Sequence, residues 1–80
     1  MYYVYVLRSL KNNRLYTGST DNIEQRLADH NSGRSRYTKL TKPFELIWKE
    51  EHITRAEAMR REEFLKTGKG RDLLKSLIRK

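Results

Sequence analysis

Eighty residues make one domain, 1–80, with a small core, since a chain of this length buries only about 60% of the surface its unfolded form exposes. Cysteine is absent and histidine occurs only at His30 and His52, which excludes disulfides, thiolate metal sites and a zinc finger. Eighteen Lys and Arg against ten Asp and Glu give a formal charge of +8, which suits a polyanionic partner held through counterion release.

No apolar run approaches the ~18 residues of a membrane span, and the N-terminus has no charged segment leading into a signal sequence. A cytoplasmic protein with no membrane partner is expected. A basic membrane-surface protein would present an amphipathic helix with exposed Trp, Phe or Leu. The single tryptophan, Trp48, instead falls in a strand-like run, and nucleic acid becomes the expected partner.

Taken in order, "YYVYVLRS" reads as a covered strand, with Tyr3, Tyr5 and Leu7 on one face and Tyr2, Val4 and Val6 on the other. Asn12 and Asn13 suit a tight turn, and "RLYTG" returns as a second strand. "STDNIEQRLADHNSG" reads as a helix capped by Asp21, with Glu24 three residues on and Gly33 after its end. A loop over 32–43 ends at Pro43. "FELIWKE" then alternates Phe44, Leu46 and Trp48 against Glu45, Ile47 and Lys49 as a third strand. Thr54 and Glu57 have capping-box spacing and open a helix carried to about Lys66; "TGKG" breaks it before a last helix ending in "LLKSLIRK". The order is β-β-α-β-α-α, an α/β (α+β) arrangement without repeats or linkers.

If the hairpin loop holds an even number of residues, Tyr16 lies opposite an odd-numbered residue of the first strand and faces the same side as Tyr5. On the first helix Arg26 and His30, four apart, share a face and flank the stripe of Ile23 and Leu27. On the later helix Ala58, Met59 and Leu65 mark an inward face with Glu62 at its centre, while Glu63 points toward its edge. Each residue has a plain reading: tyrosine packs strands, arginine lays its stem over a core, histidine answers a helix dipole, and a glutamate pairs with a neighbouring base. Jointly, two phenols, a guanidinium, an imidazole and a carboxylate on one sheet face make a kit for phosphodiester cleavage.

"YVY" at 3–5, "YTG" at 16–18, Arg26 with His30 on the following helix, and "AMRREEF" at 58–64 together resemble the GIY-YIG nuclease superfamily, over roughly residues 2–75. The resemblance is strongest to its small single-domain bacterial branch, and it implies a three-stranded sheet flanked by helices. Tyr3 stands where the family name has Gly, and Thr17 where it has Ile. An asparagine that many family nucleases use late in the domain has no clear counterpart, and no attached DNA-binding domain of the kind carried by homing and repair members is expected.

The resemblance implies a metal-dependent endonuclease acting on DNA. One divalent ion, Mg²⁺ or Mn²⁺, would be held by Glu62, and a single carboxylate suffices because such an ion keeps most of its waters and takes substrate phosphate as ligand. Arg26 would bind non-bridging oxygens, Tyr5 orient or deprotonate the attacking water, Tyr16 support it, and His30 relay the proton, with Gly18 as a structural turn. A phenol titrating near 10 is a poor base at neutral pH, so the nearby cations are expected to lower Tyr5. In the loop, Arg34, Arg36, Lys39 and Lys42 surround Tyr37, a pattern suited to tracking a phosphate backbone with one stacked base and little sequence readout. Branched, flapped or damaged DNA are the candidate substrates. The alternatives are a nucleic-acid-binding module without turnover and a basic protein–protein adaptor.

Overall fold

The computed structural model describes residues 1–33 and 41–78. Strand β1 (Tyr2–Ser9) is central in an antiparallel sheet, with β2 (Leu15–Thr20) on one side and β3 (Phe44–His52) on the other. Helices α1 (Ile23–Ser32), α2 (Arg55–Leu65) and α3 (Gly68–Ile78) complete the α+β order read from the sequence. β1 takes the centre because both of its faces are apolar. Val4 and Val6 pack with Ala58, Leu65 and Leu74 from α2 and α3, while Tyr5 and Leu7 pack with Phe44 and, from α1, Ile23 and Leu27. Each such aliphatic side chain contributes about 1.5–3 kcal/mol on full burial.

The hairpin loop is residues 10–13 rather than a two-residue turn. Ser9 bonds to Arg14 and Asn13 back to Ser9, each at 2.9 Å, and the Ser9 hydroxyl accepts the amides of Lys11 and Asn12. Asn13 takes φ 63°, the left-handed region that asparagine tolerates. The loop count stays even, so Tyr16 lies opposite Leu7, and Gly18 opposite Tyr5. The shared face of the two tyrosines follows.

β3 departs from simple alternation. Its register runs Val6 to Trp48 and then Leu7 to Leu46, leaving Ile47 as an extra residue. Such a bulge flips every side chain beyond it. Phe44 and Leu46 therefore stay with Tyr5 and Leu7, whereas Trp48 crosses to the Val4 and Val6 side, against the expected common face.

The caps also correct the reading in detail. Asn22, not Asp21, caps α1: its backbone is extended and its side chain accepts the Gln25 amide at 3.0 Å. Gly33 closes that helix at φ 82°, as expected. Thr54 accepts the Glu57 amide at 3.2 Å, the first half of the expected capping box, and its hydroxyl donates to the Glu57 carboxylate. Ala58 and Leu65 are buried, but Met59, one residue round the helix from Ala58, is 48% exposed and is not part of the inward face.

The α2–α3 break is narrower than "TGKG". α3 starts at Gly68, and the Thr67 hydroxyl accepts the Gly70 amide at 3.1 Å. Gly70 is needed for close approach, since a Cβ there would stand 1.8 Å from the Phe64 carbonyl oxygen and 2.6 Å from the Leu65 Cα. Backbone atoms cannot step aside, so Gly70→Ala is expected to cost at least the ~1–3 kcal/mol typical of overpacking. Gly68, whose Cβ would meet nothing within 4 Å, should accept alanine with no loss or a small gain. Urea melts of the two variants check the contrast.

Candidate active site

The tyrosine face is organised by α1. Asn31, near its end, clamps the backbone of Phe44, accepting its amide at 2.6 Å and donating to its carbonyl at 3.2 Å, which ties the helix to β3. His30, one residue earlier, is thereby held under the helix and is fully buried. Its Nε2 lies 3.3 Å from the Tyr5 hydroxyl. The Tyr16 ring meets the imidazole edge-on at 4.8 Å, and Phe44 lies beside it at 5.9 Å. Tyr5 and Tyr16 are 6.4 Å apart.

Gly18 is not a turn. It lies inside β2 opposite Tyr5, and its lack of a side chain makes room for that ring, because a Cβ would be 2.5 Å from the Tyr5 hydroxyl oxygen. Arg26, one helical turn before His30, is exposed, and its guanidinium and the Tyr5 phenol favour each other electrostatically, which raises Arg26 above its ordinary value.

Burial raises the Tyr5 phenol above its ordinary value near 10, opposed by the Arg26 guanidinium and aided by the charges of Tyr16 and Glu62. This reverses the expectation that cations would lower it. The ring is 2% exposed, and one solvent-exposed guanidinium does not offset the desolvation of a phenolate. Tyr5 is therefore protonated at neutral pH. Burial, and then the Arg26 charge, lower His30 below its ordinary value of 6.5, with Asp29 acting in the opposite direction. Folding therefore favours the neutral imidazole.

The His30 shift has a stability consequence. Its folded value lies below its unfolded one, so between the two the unfolded chain binds more protons. The stabilisation from neutral His30 is complete above 6.5 and is lost as pH falls from there through the folded value. Thermal melts between pH 7.5 and 5.5 should show falling stability toward acid, and His30→Gln should flatten that slope.

Glu62 reaches the same edge of the sheet from the opposite layer. It projects from α2, which packs on the Val4 and Val6 side, so the expected single sheet face is corrected to two layers meeting at β2. The Ser19 hydroxyl donates to Glu62 Oε1 at 2.6 Å, and the Lys66 ammonium approaches Oε2 at 2.6 Å. A cleft of about 320 Å³ opens here, with Ser19 and Ala58 in its wall and Arg26 and Arg55 on opposite helices. The Arg55 guanidinium sits 5.6 Å from the Tyr2 ring centre, which fixes its direction. Arg26 relates the two halves: its charge acts on the Tyr5 phenol, and it shares the cleft with Ser19, the partner of Glu62. Glu63 is exposed.

Ser19, Arg55 and Lys66 were not singled out in the sequence. Lys66 had a signal, being four residues after Glu62 on one helix. Ser19 had one in its register opposite Val4, but only once the location of α2 is known. Arg34, Arg36, Tyr37 and Lys39 lie outside the described residues; Lys42 is exposed before Pro43. Among the described residues no group of three or more His, Asp or Glu is placed to hold a metal, and no helix is long and apolar enough to cross a membrane.

Two strand tyrosines under a helix that carries arginine and histidine, with a glutamate arriving from the next helix, gather at one edge of the sheet. Residues 1–75 match the GIY-YIG catalytic domain, and the chain belongs to that family, whose members are generally divalent-metal-dependent endonucleases acting on DNA. Its relatives include the UPF0213 proteins. That of Staphylococcus haemolyticus is 43% identical over 77 residues, covering 95% of this chain and 93% of that protein. That of Oceanobacillus iheyensis is 42% identical over 62 residues, covering 76% and 71%. The solution NMR structure of the UPF0213 protein of Bacillus halodurans matches with a TM-score of 0.57 at 34% identity, covering 96% of this chain and 85% of that one.

Proposed function

We propose that this chain is a divalent-metal-dependent endonuclease that hydrolyses DNA phosphodiester bonds, with branched, flapped or damaged DNA as its substrates. The observation that carries this reading is the position of Arg26, whose charge acts on Tyr5 of the buried Tyr5–His30 pair and which lines the same cleft as Ser19, the residue whose hydroxyl holds Glu62.

Glu62 fits a single hard cation. Ser19 fixes one carboxylate oxygen, and the other already faces a cation, the Lys66 ammonium, whose side chain is 53% exposed and free to withdraw on its flexible stem. Mg²⁺ or Mn²⁺ needs few protein ligands, because water and substrate phosphate supply the rest. When bound, the ion supplies stabilisation of charge on the leaving oxygen.

The remaining steps belong to the chain's own groups. Arg26 and Arg55 take the non-bridging phosphate oxygens from opposite walls, where negative charge grows. Protonated Tyr5 orients the attacking water: its oxygen accepts the water's proton as its own passes to Nε2 of neutral His30, 3.3 Å away. Tyr16, packed on the imidazole edge, holds that ring in place and supports the phosphate.

A binding module without turnover has one observation in its favour, the Lys66 ammonium resting on Glu62. A panel of single-stranded, duplex, flap, junction and abasic DNA in Mg²⁺ or Mn²⁺ separates the readings. The endonuclease reading expects products from structured or damaged DNA first. Uniform cutting would remove the substrate preference, and binding without products would leave the module.

A further inference from the structure

Toward the other end of β2 from the catalytic cleft lies a larger groove, of about 520 Å³, between this strand and α3. Its floor includes the buried Leu65 and Leu74, and its rim carries Arg14, Lys66, Arg71 and Lys75, with no carboxylate among its lining residues. Tyr16 belongs to its wall as well as to the cluster with His30, so groove and site share that residue.

Lys66 is committed to Glu62, whereas among the described residues no ion pair involves Arg14, Arg71 or Lys75. Arg71 and Lys75 are four residues apart on α3, an arrangement in which like charges repel and weaken the helix. No compensating acid is built against them in the groove, and a bound anion would relieve the repulsion. Their spacing along the axis, about 6 Å, spans roughly two steps of the 3.4 Å charge spacing of a DNA strand.

The strand edge adds neutral donors. β2 is an edge strand, and the bond from Ser9 to Arg14 fixes the ladder phase. By the antiparallel alternation, Tyr16 and Gly18 turn their amides toward β1, while Leu15 and Thr17 turn theirs outward on the groove side.

From these placements we infer that the β2–α3 groove is a second phosphodiester-binding track, which carries the backbone of a nucleic-acid strand away from the catalytic cleft through Arg14, Arg71 and Lys75. This rests on the reading of the chain as a DNA-acting protein. The track lies on described secondary structure.

The test uses the full chain and a triple variant, Arg14→Gln, Arg71→Gln, Lys75→Gln, with a labelled flap DNA titrated in EDTA at several salt concentrations. All three side chains are exposed, and a thermal melt verifies that the variant folds. Each lost phosphate contact removes about 0.9 from the log–log salt slope on duplex, or about 0.7 on single strand. The slope should therefore fall by about 2–3, with at least a tenfold loss of affinity. In the parent, DNA should also shift the backbone amide NMR signals of Leu15, Thr17, Arg71 and Lys75.

An unchanged slope with unmoved amides, in a parent that still binds and cleaves, would overturn the track and leave the endonuclease reading standing. A parent that binds no DNA would overturn both. Unaltered DNA affinity with lost binding of polyglutamate would reassign the groove to an acidic polypeptide and likewise overturn it.

Discussion

Glu62→Gln is expected to abolish metal-dependent cleavage, by about 10³-fold or more, while DNA binding survives. The expected magnitude follows from losing the several kcal/mol of charge stabilisation that a held cation supplies, at 1.36 kcal/mol per decade. Glutamine keeps an acceptor for the Ser19 hydroxyl, and the lost ion pair with Lys66 is half exposed, so stability should change by no more than about 1 kcal/mol. Glu63 is rotated 100° around the same helix into solvent, and Glu63→Gln should be nearly silent. Single-turnover cleavage across a Mg²⁺ titration compares the two. Equal activity would remove Glu62 from the site.

Tyr5→Phe should lower single-turnover cleavage by roughly 10²–10⁴-fold, the range for lost acid–base assistance. The ring and its packing over Gly18 remain, and only the hydroxyl that meets His30 and feels the Arg26 charge is removed. The lost hydrogen bond to a buried imidazole costs about 1–2 kcal/mol, so turnover is measured at a temperature where a melt shows the variant folded. Gly18→Ala attacks the same atom from the other side. Its methyl claims the space of the hydroxyl, and it should depress cleavage at least tenfold. Parent-like turnover in Tyr5→Phe would return Tyr5 to the status of a packing residue.

The legible parts of the fold were those set by short-range rules. β1 announces its central position by being apolar on both faces. The parity of the hairpin survived a wrong loop length because four residues, like two, keep the tyrosines together. Thr54 with Glu57 and the terminal Gly33 are local hydrogen-bond chemistry and fell where the spacing put them. The bulge at Ile47 was hidden, since "FELIWKE" alternates well enough to read as one regular strand, and only pairing with β1 reveals the extra residue.

The candidate site divides in the same way. Tyr5, Tyr16, Arg26 and His30 come together because strand parity and the i, i+4 helix rule both act within 30 residues of chain. Glu62 depends on how α2 crosses the sheet, a tertiary fact, and it enters from the layer opposite to the one expected. Electrostatics was the least legible part. Charge counting around Tyr5 suggested a lowered phenol, but its burial, which sequence does not give, dominates and raises it. The role proposed for Tyr5 changes accordingly, from a base to a protonated relay toward His30.

The central claim is that Glu62 and the Tyr5–His30 pair act on one phosphodiester through a divalent ion. It is tested most directly by single-turnover cleavage of a labelled flap DNA by the unaltered protein, in Mg²⁺ or Mn²⁺ and again with excess EDTA. The account predicts discrete products with either ion and none with EDTA, with the DNA still bound. Cleavage that persists undiminished in EDTA, or bound DNA that stays intact with both ions, would contradict it.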